Sequence, residues 1–402
     1  MSAPDQEESA AAASSMPQPE QRRSGPGDAV QHAPPLAPPS QNPPSGAVQG
    51  PAAVGLEFPA YAYELYVDSD SGGGSDGSDS AANSAVDSSR SGAITTSRKS
   101  EVANYRYEHG RRYHAYSEGA YWLPNDEDEA DRLDQQHRIW RLTLDGALHA
   151  APISPDVQDV LDVGTGSGIW AIDFAKERPS AQVIGTDLSP IQPERAPPNV
   201  SFLVDDAESV WNFDGKRFNF IHARMLCLGM HDWGRFIQQC YDHLKPGGWL
   251  ELHEIQFPIR CDDESVTEDS PLRKWSVLVK EAAAKGGIDA LASDKFSRQM
   301  EERGFANVNE QYLKWAVNTW PKGEKQKLVG RLQFENFNRG LQGFSLALLT
   351  KVLGWSKDSF DLFLTEVRND ITDRRRHYYW QITVHYAQKP FGDKFLDPAS
   401  SS

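Results

Sequence analysis

The run Val160-Leu-Asp-Val-Gly-Thr-Gly-Ser-Gly168 limits what this 402-residue chain can fold into more than any other stretch. Val157 to Val163 is a short apolar segment that reads as a strand, and Ile169 to Glu177 reads as a helix. The three glycines therefore fall in the joint between them. A strand that ends inside a sheet cannot turn sharply into a helix if side chains crowd the bend. Glycine removes the Cβ and opens the left-handed backbone region, and the helix start beyond it presents N–H groups with no partner of their own. A ligand can lie against bare backbone at such a joint. Dinucleotide-binding loops space their glycines G-x-G-x-x-G, whereas Gly164, Gly166 and Gly168 follow G-x-G-x-G, which points away from a pyrophosphate ligand.

The segments after this joint keep alternating. Gln182 to Thr186, Val200 to Val204, Arg217 to Ile221 and Trp249 to Ile255 read as further strands, with a helix from Phe236 to Leu244 ended by Lys245-Pro-Gly-Gly248. Alternation of this kind predicts crossover units and a mainly parallel sheet with helices on both faces, an α/β architecture. Beyond Arg260 helices dominate: Leu272 to Ala284, Ser293 to Arg303, and most of 323–371. Two late strand candidates, Gln311 to Thr319 and Tyr378 to Ala387, predict an antiparallel edge pair with a helical cap between them. Before the sheet, Asn125 to Leu148 reads as a helix. Asn125 is its candidate N-cap, acids fill its first turn, and Leu133, His137, Trp140, Leu144 and Leu148 lie on one face.

Three acids accompany the glycine loop. Asp162 precedes Gly164 by two residues. Asp187 closes the second strand, 19 residues beyond Gly168, where a carboxylate can accept from both hydroxyls of a ribose. Asp206-Ala207 follows the third strand, where an acid can receive an adenine amino group. The plainer alternative is a turn in which Asp187 and Asp206 serve as caps.

Taken in order, Asp162-Val-Gly-Thr-Gly-Ser-Gly168, Asp187, Asp206-Ala207 and Leu244-Lys-Pro-Gly-Gly-Trp249 resemble the motifs of class I S-adenosylmethionine-dependent methyltransferases. More narrowly, Tyr121-Trp-Leu-Pro-Asn-Asp-Glu127, Asp131-Arg-Leu-Asp-Gln-Gln-His137, Gly168-Ile-Trp-Ala-Ile172, Asp187-Leu-Ser-Pro-Ile-Gln-Pro193 and Cys261-Asp-Asp263 are similar to the fungal LaeA-like methyltransferases. The resemblance covers roughly 106–390 and is specific over 113–263. It implies a Rossmann-like seven-stranded sheet of order 3-2-1-4-5-7-6 with the seventh strand antiparallel. It also implies S-adenosyl-L-methionine as cofactor, held by Asp162, Gly164, Thr165, Gly166, Gly168, Asp187, Leu188, Asp206 and Ala207. That family includes a nuclear regulator of secondary metabolism that joins velvet-type proteins, alongside enzymes of metabolite pathways. The leading expectation is a methyltransferase acting on a small molecule of fungal secondary metabolism, at a hydroxyl, amine or carboxyl. The second is a regulator of secondary-metabolite gene expression working through a protein complex. A nicotinamide oxidoreductase is disfavoured by the glycine spacing.

Methyl transfer from a sulfonium is an in-line displacement that disperses positive charge, so it needs alignment and a dry pocket above all. A cation also favours aromatic faces. The stretch Tyr105 to Trp122 carries Tyr105, Tyr107, Tyr113, Tyr116, Tyr121 and Trp122 just before the first helix, and is expected either to fold over the cofactor as a lid or to pack that helix onto the sheet. Tyr113, Tyr116, Tyr121 and Trp122 are the candidates for substrate or lid contacts. A base is needed only for a hydroxyl or a protonated amine. His222 ranks first because it is expected to end the fourth strand, ahead of His253 and Glu254 in the fifth. The fourth strand lacks an Asn/Asp-Pro-Pro-Tyr tetrad, which argues against methylation of planar nitrogens in the usual arrangement.

Residues 1–100 read differently. Met1 to about Phe58 is rich in Pro, Ala, Gln, Ser and Gly, and Asp68 to Ser100 is mostly Ser, Gly and Asp. Such stretches bury too little apolar surface to offset an ordering cost of roughly 1–2 kcal/mol per residue, which predicts a disordered tail. Within it Phe58-Pro-Ala-Tyr-Ala-Tyr-Glu-Leu-Tyr-Val67 forms an aromatic island, either a docking segment for a partner or an incidental cluster. The folded part is then 106–390, with a core at 157–256, an N-terminal cap at 106–150 and a helical insert at 320–372. The formal net charge of −16 gives no attraction to nucleic acid or to an anionic membrane, and Arg374-Arg375-Arg376-His377 is too short to reverse it. Cys227, Cys240 and Cys261 fit neither a zinc site nor a disulfide framework, and no metal is expected. No signal pattern or long apolar run is seen, so a cytoplasmic or nuclear protein is expected.

Overall fold

The structure, a computed structural model, describes Gly55, residues 63–68, 106–108 and 111–113, and residues 124–392. A small antiparallel hairpin comes first, β1 (Arg106–Glu108) with β2 (Arg111–Tyr113). Helix α1 (Glu127–Thr143) follows. Its N-cap is Asp126, one residue later than expected, because the Asp126 carboxylate accepts the Glu129 N–H at 3.1 Å. Asn125 is used elsewhere, its amide donating to the Ser189 hydroxyl at 3.1 Å. The helix stops short of Leu148 because Asp145 and Gly146 take positive φ, although Leu144 and Leu148 stay buried in the turn that follows.

Next come β3 (Asp159–Val163), α2 (Ile169–Glu177), β4 (Gln182–Asp187), β5 (Val200–Val204), β6 (Phe218–Arg224), α3 (Trp233–His243) and β7 (Leu244–Ile255). Then α4 (Pro271–Lys285), α5 (Phe296–Glu302), β8 (Ala306–Ala316), α6 (Glu324–Ala347), α7 (Lys357–Thr372) and β9 (Tyr379–Gln388) complete the described chain. Seven strands form one sheet in the order β5-β4-β3-β6-β7-β9-β8. Neighbours from β5 to β7 are parallel, and β9 inserts antiparallel between β7 and β8. Counted within the sheet this is 3-2-1-4-5-7-6, the expected α/β Rossmann-like order, with α6 and α7 as the helical insert before the last strand.

Alternation along the strands divides the core in two. Val160 and Phe220 face one layer with Trp140, Trp170 and Trp275, whereas Leu161, Val163, Ile221 and Ala223 face the other with Trp233, Phe236 and Phe296. The register sets Asp162 beside His222 on one side and Gly185 on the other, so the carboxyl ends of β3, β4 and β6 lie level. Topology reverses there, and in open α/β sheets this is where ligands bind.

Part of the aromatic island lies against the chain's own body. Val67 bridges to Pro321, the Asp68 N–H donates to the Trp320 carbonyl at 3.1 Å, the Tyr63 hydroxyl to Gln311 at 2.8 Å, and Asp68 pairs with Lys327. Apart from Gly55, the rest of residues 1–100 lies outside the described residues. Among the described residues no helix is long and apolar enough to cross a membrane.

Candidate functional site

Gly164, Gly166 and Gly168 take φ of 67°, 57° and 80°, the left-handed region that a side chain resists. The constraint is spatial as well at Gly164, where a Cβ would stand 2.3 Å from a Leu226 methyl. Over this loop opens a cleft of about 1410 Å³, its mouth included. Gly164, Thr165, Gly166, Asp187, Leu188, Asp206 and Ala207 all line it. Those sequence-predicted residues are therefore brought together.

Two others are not at the surface of the cleft. Asp162 is buried beneath the loop, accepting from the Thr165 hydroxyl at 2.6 Å and pairing with His222 Nδ1 at 2.7 Å. It supports the bend from behind. Gly168 faces β5, where a Cβ would sit 2.6 Å from the Phe202 ring. Asp187 accepts from the Gly166 N–H at 2.8 Å and from the Ser189 N–H at 2.9 Å, one on each oxygen, so it clasps the loop to the end of β4. Asp206 accepts the Glu208 N–H at 2.9 Å, the turn-capping alternative, and still lines the cleft.

His222 needs correction as the base. The strand β6 runs on to Arg224, three residues past its expected end, so His222 lies inside the sheet. It is fully buried, stacked on Trp170 with ring centroids 3.9 Å apart, and does not line the cleft. His253 is likewise turned inward, stacked on Trp140 and held by Glu251 at 2.6 Å. Glu254 accepts the N–H groups of Leu226 and Cys227 at 2.9 and 3.1 Å, fixing the segment that forms one cleft wall. Of the lid candidates, Tyr113 is buried in the hairpin and lines no part of the cleft. Tyr116, Tyr121 and Trp122 lie outside the described residues.

Comparison with known proteins shows the family. The family described as "Methyltransferase domain" matches residues 134–310. The chain is 39% identical over 297 residues to the methyltransferase pytC of Aspergillus terreus, covering 74% of this chain and 91% of that one. It is 37% identical over 294 residues to the secondary metabolism regulator LAE1 of Cochliobolus heterostrophus, covering 72% and 95%. With the secondary metabolism regulator laeA of Aspergillus flavus it shares 34% over 299 residues, 73% and 80% of the two chains. The chain belongs to the LaeA-like methyltransferases. Its sheet is the S-adenosylmethionine-dependent methyltransferase fold, and S-adenosylmethionine is the cofactor of that family.

The far end of this methyltransferase's cleft was not legible in the sequence. Arg132, Leu133 and Gln136 of α1 form one side, and Gln333, Asn336, Phe337 and Phe344 of α6 form another. Phe257 and Trp380 close it, with ring centroids 5.0 Å apart. Arg132 is not free there: it makes a two-point pair with Glu129 at 2.7 and 2.9 Å and donates to Asn336 at 3.0 Å. Met225, at φ 59°, turns the chain from β6 into the cleft wall. The sequence marked most of 323–371 as helical, but not what those helices cover.

The buried acids around the loop set a pH response. Burial pushes Asp162 and Asp187 up to about 6 and Glu254 up to about 8. An acid raised in the folded state keeps its proton while the unfolded chain releases it. Its contribution to stability is present below the ordinary carboxyl range and lost as pH rises through the folded value. For Glu254 that window runs from 4.5 to about 8. Glu254→Gln cannot ionise, so its unfolding free energy relative to wild type is expected to rise across that window. Urea denaturation at either end of the window checks this, and a constant difference would show Glu254 titrating as an ordinary carboxyl.

Proposed function

We propose that this methyltransferase holds S-adenosylmethionine at the glycine-loop end of the cleft and methylates an apolar small molecule of secondary metabolism at the other. The carrying observation is the division of one cleft into two chemistries. One end offers bare loop backbone with Asp187 and Asp206, suited to a nucleoside's hydroxyls and amino group. The other offers Phe257, Phe337, Phe344 and Trp380, with the amides of Gln136, Gln333 and Asn336 and the ion-paired Arg132 as polar groups. The loop fits the cofactor because Gly164 and Gly166, at φ 67° and 57°, line the cleft without side chains, so a ligand can lie against their backbone.

The cofactor supplies an electrophilic methyl group on a sulfonium. The chain's own residues then have to align it and keep water out. Gly164 and Gly166 allow close approach, Asp187 accepts from the sugar, Asp206 from the base, and Met225, Leu226 and Met230 wall the site with apolar surface. Among the described residues lining the cleft there is no histidine, lysine or tyrosine to act as base.

The names of LAE1 and laeA support a second reading, regulation of secondary metabolism. Comparing metabolites of a deletion strain with its parent separates the two. The first predicts loss of one methylated product with its unmethylated precursor accumulating. Silence across many unrelated products would favour the second.

A further inference from the structure

Arg224 ends β6 with its side chain in the wall of the cleft, beside the glycine loop. Its guanidinium touches His137 Nδ1 at 3.0 Å through Nη2. No carboxylate among the described residues lies within ion-pair distance of it. The acids near enough to influence it, Asp162, Asp134 and Asp173, are each engaged elsewhere: Asp162 by Thr165 and His222, Asp134 by Ser167 at 2.6 Å, and Asp173 by His137 at 3.1 Å and by Lys176. Desolvation lowers the group only to about 10, so it stays charged at neutral pH.

A half-buried guanidinium left without a counter-ion is costly, and such a cost persists where a ligand supplies the missing charge. Five N–H donors in a planar fork suit a carboxylate, which accepts two of them in parallel. His137 occupies one edge of that fork and is itself held by Asp173, so Arg224 is oriented before any ligand arrives. The loop residues Gly166 and Ser167 lie in the same wall.

We propose that Arg224 receives the carboxylate at the amino-acid end of the cofactor, and so fixes the sulfur end of a ligand whose sugar is held at Asp187. This rests on the cofactor reading above. An acidic acceptor would offer the same chemical group, and the test separates the two sources.

The full chain is titrated calorimetrically with S-adenosylhomocysteine and with 5′-methylthioadenosine, which keeps the adenine, ribose and sulfur but lacks the amino-acid end. Arg224→Gln is expected to weaken S-adenosylhomocysteine at least tenfold, about 1.4 kcal/mol, and 5′-methylthioadenosine less than about twofold. Arg224→Lys, which keeps the charge but loses the fork, should fall between. Retained 5′-methylthioadenosine binding shows that the variant is folded. Equal weakening of both ligands would make Arg224 a structural residue and overturn the assignment. Unchanged binding of both would overturn it too, and would leave an acceptor carboxylate as the anion. Wild-type protein that binds neither ligand would instead remove the cofactor reading itself.

Discussion

Arg132→Ala is expected to cost about 3–5 kcal/mol of stability, the size found when one member of a buried ion pair is removed. Arg132 and Glu129 are 4% and 5% exposed at their side chains and joined by two hydrogen bonds, so the alanine variant strands a carboxylate away from water. It also loses the bond to Asn336 and the contact of the guanidinium with the Phe344 ring at 4.9 Å. Those contacts tie α1 to α6 across the cleft. For a domain of this size the loss corresponds to a melting temperature lower by roughly 6–20 °C. Replacing both partners, Arg132→Met with Glu129→Leu, should recover most of the loss, because the expensive element is the unpaired charge rather than the missing attraction. A single variant within about 1 kcal/mol of wild type would mean that Glu129 reaches water after all.

Asp187→Ala is expected to weaken S-adenosylhomocysteine by at least about thirtyfold, about 2 kcal/mol. Two effects combine. The carboxylate proposed to accept from the sugar is gone, and the N–H groups of Gly166 and Ser189 lose the acceptor that clasps the glycine loop to β4. Hydrogen bonds to a charged group contribute about 1.5–3 kcal/mol each, so the loop loosens as well as losing a ligand contact. Asp187→Asn keeps one oxygen and should fall between the two. Titration calorimetry on folded variants decides, and an unchanged affinity would remove Asp187 from the site.

Much of the sheet was readable because a parallel sheet buries its strands as short apolar runs broken by turn residues. The bounds of α2 and β5 are those the sequence suggested, Ile169–Glu177 and Val200–Val204. The glycine spacing and Asp187 located the near end of the cleft because backbone geometry leaves few other residues able to occupy those positions. The far end depends on long-range packing. Gln333, Asn336, Phe337 and Trp380 sit in stretches that look like any buried helix face or strand, and nothing local says that they meet Arg132 across a gap. His222 was misjudged for a related reason. Strand ends are set by partner strands, and pairing with β7 carries β6 on to Arg224. That extension moved the histidine inside and put an arginine at the edge.

The central claim is that the bend after Val163 holds a sulfonium nucleoside and not a dinucleotide. Titrating the full chain in parallel with S-adenosylhomocysteine and NAD tests it most directly. One site for S-adenosylhomocysteine and no heat with NAD is the predicted result. Heat with NAD and none with S-adenosylhomocysteine would contradict it.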